Sequence, residues 1–448
     1  MLENDEKDEN TKIIGIMDPN GFALRASVEG LMDHLKLNVK HKGQNYKIEH
    51  RRIMSRAYNV LGVKTSCNAI LNRGAHWNPH HNSFFTMVMP QTYLLNDMVS
   101  FKAIDKNTSY GQMYDLGLHI PRTWAIPQED YSELLDSPKI DADLIFPEHE
   151  LFDLKAIGDE VGYPAFLKPQ SGGGWVGVEK VDDYPELYKA YKKSGDKPLN
   201  LQQAINYKEF VRTVGVGPQM MPMHYNASAK HSHDRYLRNE NQAIDHHFLS
   251  AQEHDEVSKI TKVINAFYNW DHNSCESLIS KDDGKIYPID FANAYPDSNI
   301  ISLHFFFPEL VKSMVKWLTY NAITGRTKTV FGRDWDDYHA IMNQANNENW
   351  KYMDKLNEYA ALADKHFSTF QFENFCNDSL SDFDIKALEF FESEQFEDII
   401  SESVKRYFKV PHEVPEKMMH YHGILKFWSK CESERLGLSS SSKTEAQV

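Results

Sequence analysis

The sequence predicts an α/β protein with a helical region on its C-terminal side. Three observations support this prediction. Apolar strand patterns alternate with amphipathic helix patterns up to about residue 325. Near the middle of the chain, a strand pattern, a glycine-rich loop and a second strand pattern follow one another. From residue 326 onwards, apolar residues recur at helical spacing among many charges, and few strand patterns remain.

The composition indicates a chain of two or three domains. It has 448 residues, of which 41% are hydrophobic and 12% aromatic, and this length exceeds the usual size of one domain. The net charge of -15 argues against a nucleic-acid partner, because phosphate backbones repel an acidic surface. The four cysteines form no CxxC pair, so we expect reduced thiols rather than a disulfide framework or a zinc site.

The sequence carries no pattern of a targeting or membrane segment. Its first residues, Met1 to Glu6, are acidic and lack the basic and apolar parts of a signal peptide. The most apolar stretch, Ile300 to Leu318, is interrupted by charged residues and by Pro308. We therefore expect a soluble, cytoplasmic protein that does not cross a membrane.

An N-terminal α/β domain is predicted over residues 11–100, after a charged tail over residues 1–10 that we expect to be disordered. Lys12 to Met17 has the pattern of a buried strand and ends at a turn. A helix pattern over Val28 to Leu35 follows, and later a further strand, Ala69 to Arg73.

The second predicted domain covers residues 101–325 and alternates helices with strands. Its hairpin signal is the strongest, because two apolar strands flank the turn Asp282-Asp283-Gly284. The predicted helices are Asp105 to Leu116, Asp153 to Val161, one opened by Pro185, one around Val257 to Phe267, and one from Pro308 to about Gly325. The predicted strands are Pro164 to Pro169, Val176 to Val181, Leu201 to Ile205, Glu209 to Val216, Ser274 to Ile279 and Ile286 to Phe291, with an extended segment over Ile120 to Pro127.

A helical region is predicted over residues 326–438, and a serine run begins a flexible tail over residues 439–448. The apolar stripes of this region are typical of packing faces. Three roles of this helical region stay open: it could cover a cleft, form a homodimer or bind a partner.

The most informative segment runs from Phe166 to Val178. A strand carries Lys168 into a loop with Gly172, Gly173 and Gly174, and the chain returns as a second strand. Glycines let backbone N–H groups approach phosphates, and a lysine adds a compact cation. A dinucleotide-binding fingerprint requires a helix after its glycine loop, whereas a strand pattern follows here. The sequence therefore argues against a dinucleotide-binding site. A glycine-rich hairpin turn beside a chance lysine is the alternative.

Acidic residues follow on the predicted hairpin. Glu276 lies on one strand, and Asp290 and Asn293 lie at the end of the other. Mg²⁺ prefers hard oxygen ligands from one or two carboxylates together with phosphates. These residues therefore predict a metal site, with solvated surface acids as the alternative.

A third segment, Leu201 to Arg212, combines a strand end with a carboxylate. Backbone groups at a strand end can bind an adenine edge, and Glu209 can accept hydrogen bonds from both ribose hydroxyls. By itself the pattern is equally compatible with a plain edge strand.

In their order along the chain, these segments resemble the ATP-grasp superfamily. The resemblance is to D-alanine–D-alanine ligase, glutathione synthetase and the ribosomal-protein glutamate ligases, and it covers roughly residues 100 to 325. It rests on the order of Asp105-Lys106, Lys168 with its loop, Gln202 to Glu209, and Glu276, Asp290 and Asn293. It implies an α+β ATP-grasp fold in which two lobes sandwich ATP.

The resemblance also implies roles for individual residues. Lys106 and Lys168 would bind the nucleotide phosphates, with Gly172, Gly173 and Gly174 closing over them. Gln202, Gln203 and the backbone of Ile205 would face adenine, and Glu209 the ribose. Glu276, Asp290 and Asn293 would hold Mg²⁺, with Mn²⁺ as the alternative ion.

This chain departs from the usual ATP-grasp pattern at three positions. The hairpin ends in Asp290-Phe291-Ala292-Asn293 instead of Glu-x-Asn, so we expect the strand to bend or bulge after Asp290. Ser274 replaces an arginine expected two residues before the first metal ligand, and Arg212 or Arg235 is predicted to supply that charge. Gln202 and Gln203 replace acids of many relatives.

Arginine forks match carboxylates, so the arginines suggest where a substrate carboxylate binds. Arg212 and Arg235 are the predicted catalytic residues. Arg73 ends a predicted strand beside the loop with His76 and Trp77, which is a common place for binding residues. Arg25 is interpreted as part of a surface salt bridge. The histidine clusters match no zinc spacing and are interpreted as polar loop residues. The segment His224-Tyr225-Asn226, just after the strand with Arg212, is a better candidate for lining the active site.

The predicted activity is that of an ATP-dependent carboxylate–amine ligase acting on small-molecule substrates. A carboxylate would be activated as an acyl phosphate and captured by an amine or similar nucleophile, with release of ADP and phosphate. Two alternatives stay open, a small-molecule kinase of the same fold and a non-catalytic ATP-binding regulatory protein.

Overall fold

The architecture is seen in a computed structural model, which describes residues 10–19, 21–100, 105–132, 152–172, 176–231, 234–236, 247–327 and 335–438. The predicted tails, 1–10 apart from Asn10 and 439–448, lie outside the described residues, as do Gly173 and Gly174.

The N-terminal part is a five-stranded sheet in the order β2-β3-β1-β4-β5. The pairs β1–β3, β1–β4 and β4–β5 are parallel, and β2–β3 is an antiparallel hairpin that the sequence did not reveal. The elements are β1 (Thr11–Met17), α1 (Phe22–Leu35), β2 (Asn38–His41), β3 (Gln44–Arg52), β4 (Ala69–Asn72), α2 (Pro79–Val88) and β5 (Tyr93–Leu95).

Helix α2 corrects the interpretation of the histidine run as a loop. The Asn78 side chain accepts hydrogen bonds from the backbone N–H groups of His80 and His81, and Pro79 occupies the first turn. An asparagine cap followed by proline begins a helix even where the residues are polar.

The second sheet is antiparallel, in the order β6-β9-β7-β8, and has its own apolar core. The edge strand that follows the glycine-rich loop is shorter than predicted, because it begins at Glu179 and the turn before it includes residues 176–177. The elements are α3 (Lys106–Asp115), β6 (Thr123–Ile126), α4 (Leu154–Val161), β7 (Ala165–Pro169), β8 (Glu179–Val181), α5 (Tyr184–Lys192) and β9 (Leu199–Gln203).

The third sheet is also antiparallel, in the order β11-β10-β12-β13. The hairpin predicted around Gly284 is confirmed, since β12 pairs with β13 across that turn. The elements are β10 (Tyr207–Val216), β11 (Gln219–His224), α6 (Ala251–Phe267), β12 (His272–Ser280), β13 (Ile286–Asp290), α7 (Ile300–Leu303) and α8 (Phe307–Thr324).

The C-terminal part is helical, as predicted. Its helices are α9 (Trp335–Glu348), α10 (Tyr352–Phe367), α11 (Thr369–Ser379), α12 (Phe383–Phe391), α13 (Glu394–Tyr407) and α14 (Val414–Arg435). One continuous set of buried apolar residues joins these helices to α1 and to the third sheet. The helical region is therefore packed onto the rest of the protein.

In the described part of the chain, no helix combines the length and apolar character that crossing a bilayer requires. The apolar stretch from Ile300 to Leu318 instead forms α7, a short 3₁₀ turn and most of α8.

An ion cluster ties α8 to the C-terminal helices. Lys312 is only 1% exposed, and its Nζ donates to Glu432 and to Glu309, the latter at 3.0 Å. Asp384 lies 3.3 Å from the same ammonium. A buried charge of this kind requires its partners, because a lone ion in the interior loses its hydration without compensation.

We expect Lys312→Met to lower the free energy of unfolding by about 3 kcal/mol, because it removes the buried cation that the buried Glu432 and the half-buried Asp384 share. The measurement is urea denaturation. The control is Lys155→Met, which removes an exposed pair with Asp159 and should change stability much less than Lys312→Met does, because water screens an exposed ion pair. Equal effects of the two substitutions would contradict a structural role for the Lys312 cluster.

Candidate functional site

Two lysines from distant parts of the chain line the same cleft. Lys168 projects from β7, and Lys106 is the first residue of α3, where Asp105 caps the helix by accepting from the Thr108 backbone N–H at 2.9 Å. The Lys106 Nζ donates to the Gly172 carbonyl at 2.7 Å. The third sheet contributes Glu276, Ile289 and Asp290 to the same cleft, which therefore lies between the second and third sheets.

Lys168 is buried in this cleft. Its Nζ donates to Gln202 Oε1 at 2.6 Å, and Gln202 in turn donates to Thr123 Oγ1 at 2.9 Å. Burial lowers the pKa of Lys168 to about 8; Lys106 acts in the same direction, whereas Asp290 and Glu276 oppose the change. The ammonium is charged at neutral pH but close to losing its proton.

The acids face each other on adjacent strands. Glu276 on β12 pairs directly with Asp290 on β13, whereas the neighbouring Ser277 pairs with Pro288, so Ile289 is bulged out of the ladder. The irregularity thus begins one residue earlier than predicted, and β13 ends at Asp290. The bulge places Glu276 and Asp290 side by side.

Beyond the strand, the chain folds back so that Asn293 reaches β12. Its Nδ2 donates to Ser274 Oγ at 2.8 Å, and its carbonyl accepts from the Ser274 backbone N–H at 3.3 Å. With the NH₂ group directed at Ser274, the Asn293 Oδ1 is the atom that can bind a cation, since the amide nitrogen is only a hydrogen-bond donor. Asn293 lines a cavity together with Glu276 and Asp290.

Arg212 flanks Glu276 from the other side. It is paired with Glu276 across β10 and β12, and the closest distance between Nη1 and Oε1 is 3.7 Å. Its Nη2 donates to Ser274 Oγ at 3.2 Å. The guanidinium of Arg212 therefore reaches Ser274, where the resemblance led us to expect an arginine.

Arg235 joins Arg212 through a tyrosine. The hydroxyl of Tyr225 accepts from Arg212 Nη1 at 3.1 Å and from Arg235 Nη1 at 3.2 Å. Both guanidinium groups line a cavity that shares Gly172, Glu276 and Asp290 with the lysine cleft. Two cations thus lie beside the predicted metal ligands.

Glu276 is an acid in an unfavourable setting. Burial raises the pKa of its carboxyl; Arg212 opposes this rise, and Asp290 adds to it, so the pKa lies above its ordinary value. A cation that bound between Glu276 and Asp290 would relieve their repulsion.

Some predicted nucleotide contacts lie elsewhere. The Gln203 side chain does not face the cleft as predicted. Side chains alternate along β9, so Gln203 lies on the face opposite Gln202, where its Oε1 accepts from Arg122 Nε at 3.2 Å. Ile205 lies beyond the end of β9 and packs against the main core. Glu209 pairs with His224 at 3.0 Å, and neither lines the lysine cleft.

Several residues of the site gave no signal in the sequence. Tyr225, Tyr236, Tyr295 and Asp297 line the arginine cavity. Of these, Tyr225 belongs to the segment His224-Tyr225-Asn226 that we expected to line the active site, whereas no sequence pattern pointed to the other three. Tyrosines are common in cores and surfaces alike, so only their placement beside the arginines distinguishes these.

The ligand set suits a hard divalent cation. Glu276, Asp290 and the Asn293 amide carry oxygen atoms that could bind such an ion, and Mg²⁺ characteristically completes its shell with phosphate oxygens and water. Among the described residues, no group of three or more His, Cys, Asp or Glu is placed to hold a metal by itself. His81, from one of the histidine clusters, instead contacts Ser55 Oγ at 3.1 Å.

The predicted fold is confirmed. The structure has an N-terminal α/β part, two antiparallel four-stranded sheets that face each other across a cleft, and a helical C-terminal part. This two-lobed arrangement around paired lysines and acids is the arrangement that the resemblance to the ATP-grasp superfamily led us to expect.

Comparison with known proteins gives fold similarity at low sequence identity. No protein-family model matches the sequence. The D-Ala:D-Ser ligase VanG from Enterococcus faecalis is 12% identical, with a TM-score of 0.46 over 70% of this chain and 99% of that one. The macrocyclase MdnC from Microcystis aeruginosa, bound with precursor peptide MdnA, is 11% identical, with a TM-score of 0.45 over 69% and 99%. The ATP-grasp ligase PsnB, complexed with precursor peptide PsnA2 and AMPPNP, is 12% identical, with a TM-score of 0.44 over 70% and 99%.

We expect Arg212→Met to destabilise the protein by about 3 kcal/mol at pH 8 and by clearly less at pH 5. Without Arg212, the folded-state pKa of Glu276 rises further above its unfolded value. Above that folded-state pKa, the Glu276 carboxylate is charged and buried without its cation, which destabilises the folded protein. Below the pKa of Glu276 in the unfolded chain, the carboxyl is neutral in both the folded and the unfolded protein, and this destabilisation disappears.

Urea denaturation at both pH values measures this effect. The double variant Arg212→Met/Glu276→Gln is the control, because it removes the uncompensated charge and should recover part of the loss at pH 8. A loss that is the same at both pH values and in the double variant would contradict the coupling between Arg212 and Glu276.

Proposed function

We propose that this protein is an ATP-dependent ligase that activates a substrate carboxylate as an acyl phosphate and joins it to an amine. The observation that supports this most directly is the convergence of Lys106 and Lys168 on one cleft opposite Glu276 and Asp290. Two cations and two acids around one cleft match the needs of a triphosphate with its metal ion.

In this proposal the triphosphate lies between the two sheets. Lys106 and Lys168 bind phosphate oxygens, and the loop of Gly172, Gly173 and Gly174 covers them. Glu276, Asp290 and Asn293 hold Mg²⁺, or Mn²⁺ in its place. The ion, when bound, would neutralise phosphate charge as a Lewis acid.

The nucleoside would lie along the end of β9. Gln202 already accepts a hydrogen bond from Lys168, so adenine contacts would come from its remaining donor and from the backbone near Gln203 and Ile205. Glu209 would bind the ribose after exchanging its contact with His224.

The arginine cavity would hold the reacting carboxylate. Arg212 and Arg235 offer guanidinium donors next to the metal ligands, so a carboxylate bound there would lie close to the terminal phosphate. A carboxylate oxygen would attack the γ-phosphorus and ADP would leave. The amine nitrogen would then bond to the acyl carbon, inorganic phosphate would leave with the electrons of the C–O bond, and the amine would lose a proton. Positioning and charge neutralisation are sufficient for both steps.

The substrates in this proposal are a small-molecule carboxylate and an amine. A cytoplasmic location, a homodimer and the domain limits at residues 100, 325 and 438 stay predictions from the sequence.

We expect Lys168→Met to reduce Mg-ATP-dependent phosphate release at least ~100-fold, because a buried ammonium is lost from the phosphate site. The double variant Glu276→Gln/Asp290→Asn should be inactive, or its remaining activity should no longer depend on Mg²⁺. The measurement is release of both ADP and phosphate over a panel of carboxylate and amine pairs, with mass spectrometry of the product. Lys155→Met is the control.

The products separate the proposal from its alternatives. Equal release of ADP and phosphate with an amide product supports a ligase. ADP without phosphate would indicate a kinase, and tight Mg-ATP binding without turnover would indicate a regulatory protein. Normal kinetics in the Lys168 and acidic variants would contradict the site itself.

ATP affinity should fall as the pH rises from 7 to 9. The unliganded pKa of Lys168 is about 8, so the ammonium that attracts phosphate is lost above that pH, and binding at pH 9 must take up a proton. Calorimetry in two buffers of different ionisation enthalpy measures this uptake. Lys168→Arg is the matched control, because its guanidinium stays charged. Proton uptake that is unchanged in Lys168→Arg would contradict the assignment to Lys168.

A further inference from the structure

A second cavity adjoins the arginine cavity on the side away from the lysines. Tyr295 and Asp297 belong to both cavities, so they form the boundary between them. The second cavity is lined by the N-terminal domain through Arg25 and Arg73, and by helix α13 through Ser403, Arg406 and Tyr407. The helical C-terminal part therefore supplies one wall.

Arg73 is the most unusual residue of this cavity. Its side chain is only 6% exposed, and Nη2 donates to the Pro296 carbonyl at 2.8 Å. The buried Nε and Nη1 have no hydrogen-bond partner among the described residues. A buried guanidinium with two unsatisfied donors is costly, since each lost contact with water goes uncompensated.

Aromatic packing holds this guanidinium in place. It lies over the ring of Tyr295, with 3.7 Å between Cζ and the ring centroid. Trp77 packs edge-on against the same ring at 4.4 Å between centroids and is 59% exposed. Arg73 is thus preorganised to bind an anion, and Trp77 is placed to report on it.

Arg25 adds to the positive charge. Its Nε is also buried without a hydrogen-bond partner among the described residues, which its interpretation as a surface salt bridge did not anticipate. Arg406 lies over the Phe22 ring at 4.2 Å and bonds Glu402. Three arginines face two acids, Asp18 and Asp297, in a protein whose net charge is -15. The cavity therefore opposes the overall charge of the molecule.

We propose that this second cavity binds the amine acceptor, and that the acceptor carries a carboxylate held by Arg73 and Arg25. An amino acid or the C-terminal residue of a short peptide has this chemistry. The carboxylate would satisfy the unpaired donors of Arg73, and the amine would pass Asp297 and Tyr295 towards the acyl phosphate. A bare amine would leave the arginine donors unsatisfied. This inference rests on the proposed ligase function.

The test is binding of a panel of free α-amino acids and dipeptides to the full chain with Mg²⁺ and a non-hydrolysable ATP analogue. Each compound is paired with its C-terminal amide, and tryptophan emission and calorimetry are recorded. We expect at least one free acid to bind at least ~10-fold more tightly than its amide, which is the loss typical of one charge-assisted hydrogen bond. Trp77→Phe should remove the emission change, because it removes the reporting indole.

Variants assign the effect to the cavity. Arg73→Met should weaken binding of the free acid at least ~10-fold and leave that of the amide unchanged. Arg51→Met, an exposed arginine at the end of β3, is the matched control and should have no effect. If Arg73→Met fails to fold, Arg25→Met decides the question with the same expected selectivity for the free acid.

Three results would overturn the inference. They are the absence of binding by every free acid in the panel, equal affinity for acids and amides, and free-acid affinity that does not change in Arg73→Met or Arg25→Met. Binding of Mg-ATP by the same samples is measured separately. Its failure would overturn the proposed ligase, whereas a failure in the panel alone would overturn only the acceptor site.

Discussion

The structure depends on how a buried acid, Glu276, is compensated. Arg212 lies opposite it on one neighbouring strand and Asp290 on the other, so three strands of one sheet place a cation and two acids in a row. The two carboxylates repel each other more strongly in this buried position than they would in water, and Arg212 offsets only part of that repulsion. A further cation between them would offset more of it.

The two sides of the cleft are built differently. The sheet that carries Lys168 has its own small core, whereas the acid-bearing sheet shares one core with α1 and the C-terminal helices. Helix α3 connects the two sides, since Lys106 contacts the Gly172 carbonyl and Tyr110 donates to the Ile289 carbonyl beside the acids. The position of the Lys106 ammonium is thus coupled to both sheets.

The shared core also explains how distant segments meet around the second cavity. Packing of α1 against α12 and α13 brings Arg25 near Arg406, and the chain after β13 brings Tyr295 beneath Arg73. The C-terminal helices therefore do more than cover apolar surface. They form a wall beside the proposed acceptor site, so their sequence can influence which acceptor fits.

The sequence by itself determined those features that local patterns encode. Apolar periodicity predicted the α/β order and the helical C-terminal part, the turn at Gly284 predicted the hairpin that carries Glu276 and Asp290, and the strand before Gly172 placed Lys168 at a loop. Such features depend on neighbours within a few residues, and these are visible in the chain.

Only the tertiary structure decided which side chains meet. It placed Arg212 at Ser274, moved the irregularity in β13 to Ile289, turned Gln203 away from the cleft, and left Arg73 with buried donors facing a cavity. Strand register and the packing of remote helices set these contacts, and a shift of one residue in register reverses the face of every side chain. No pattern within a single segment records that choice.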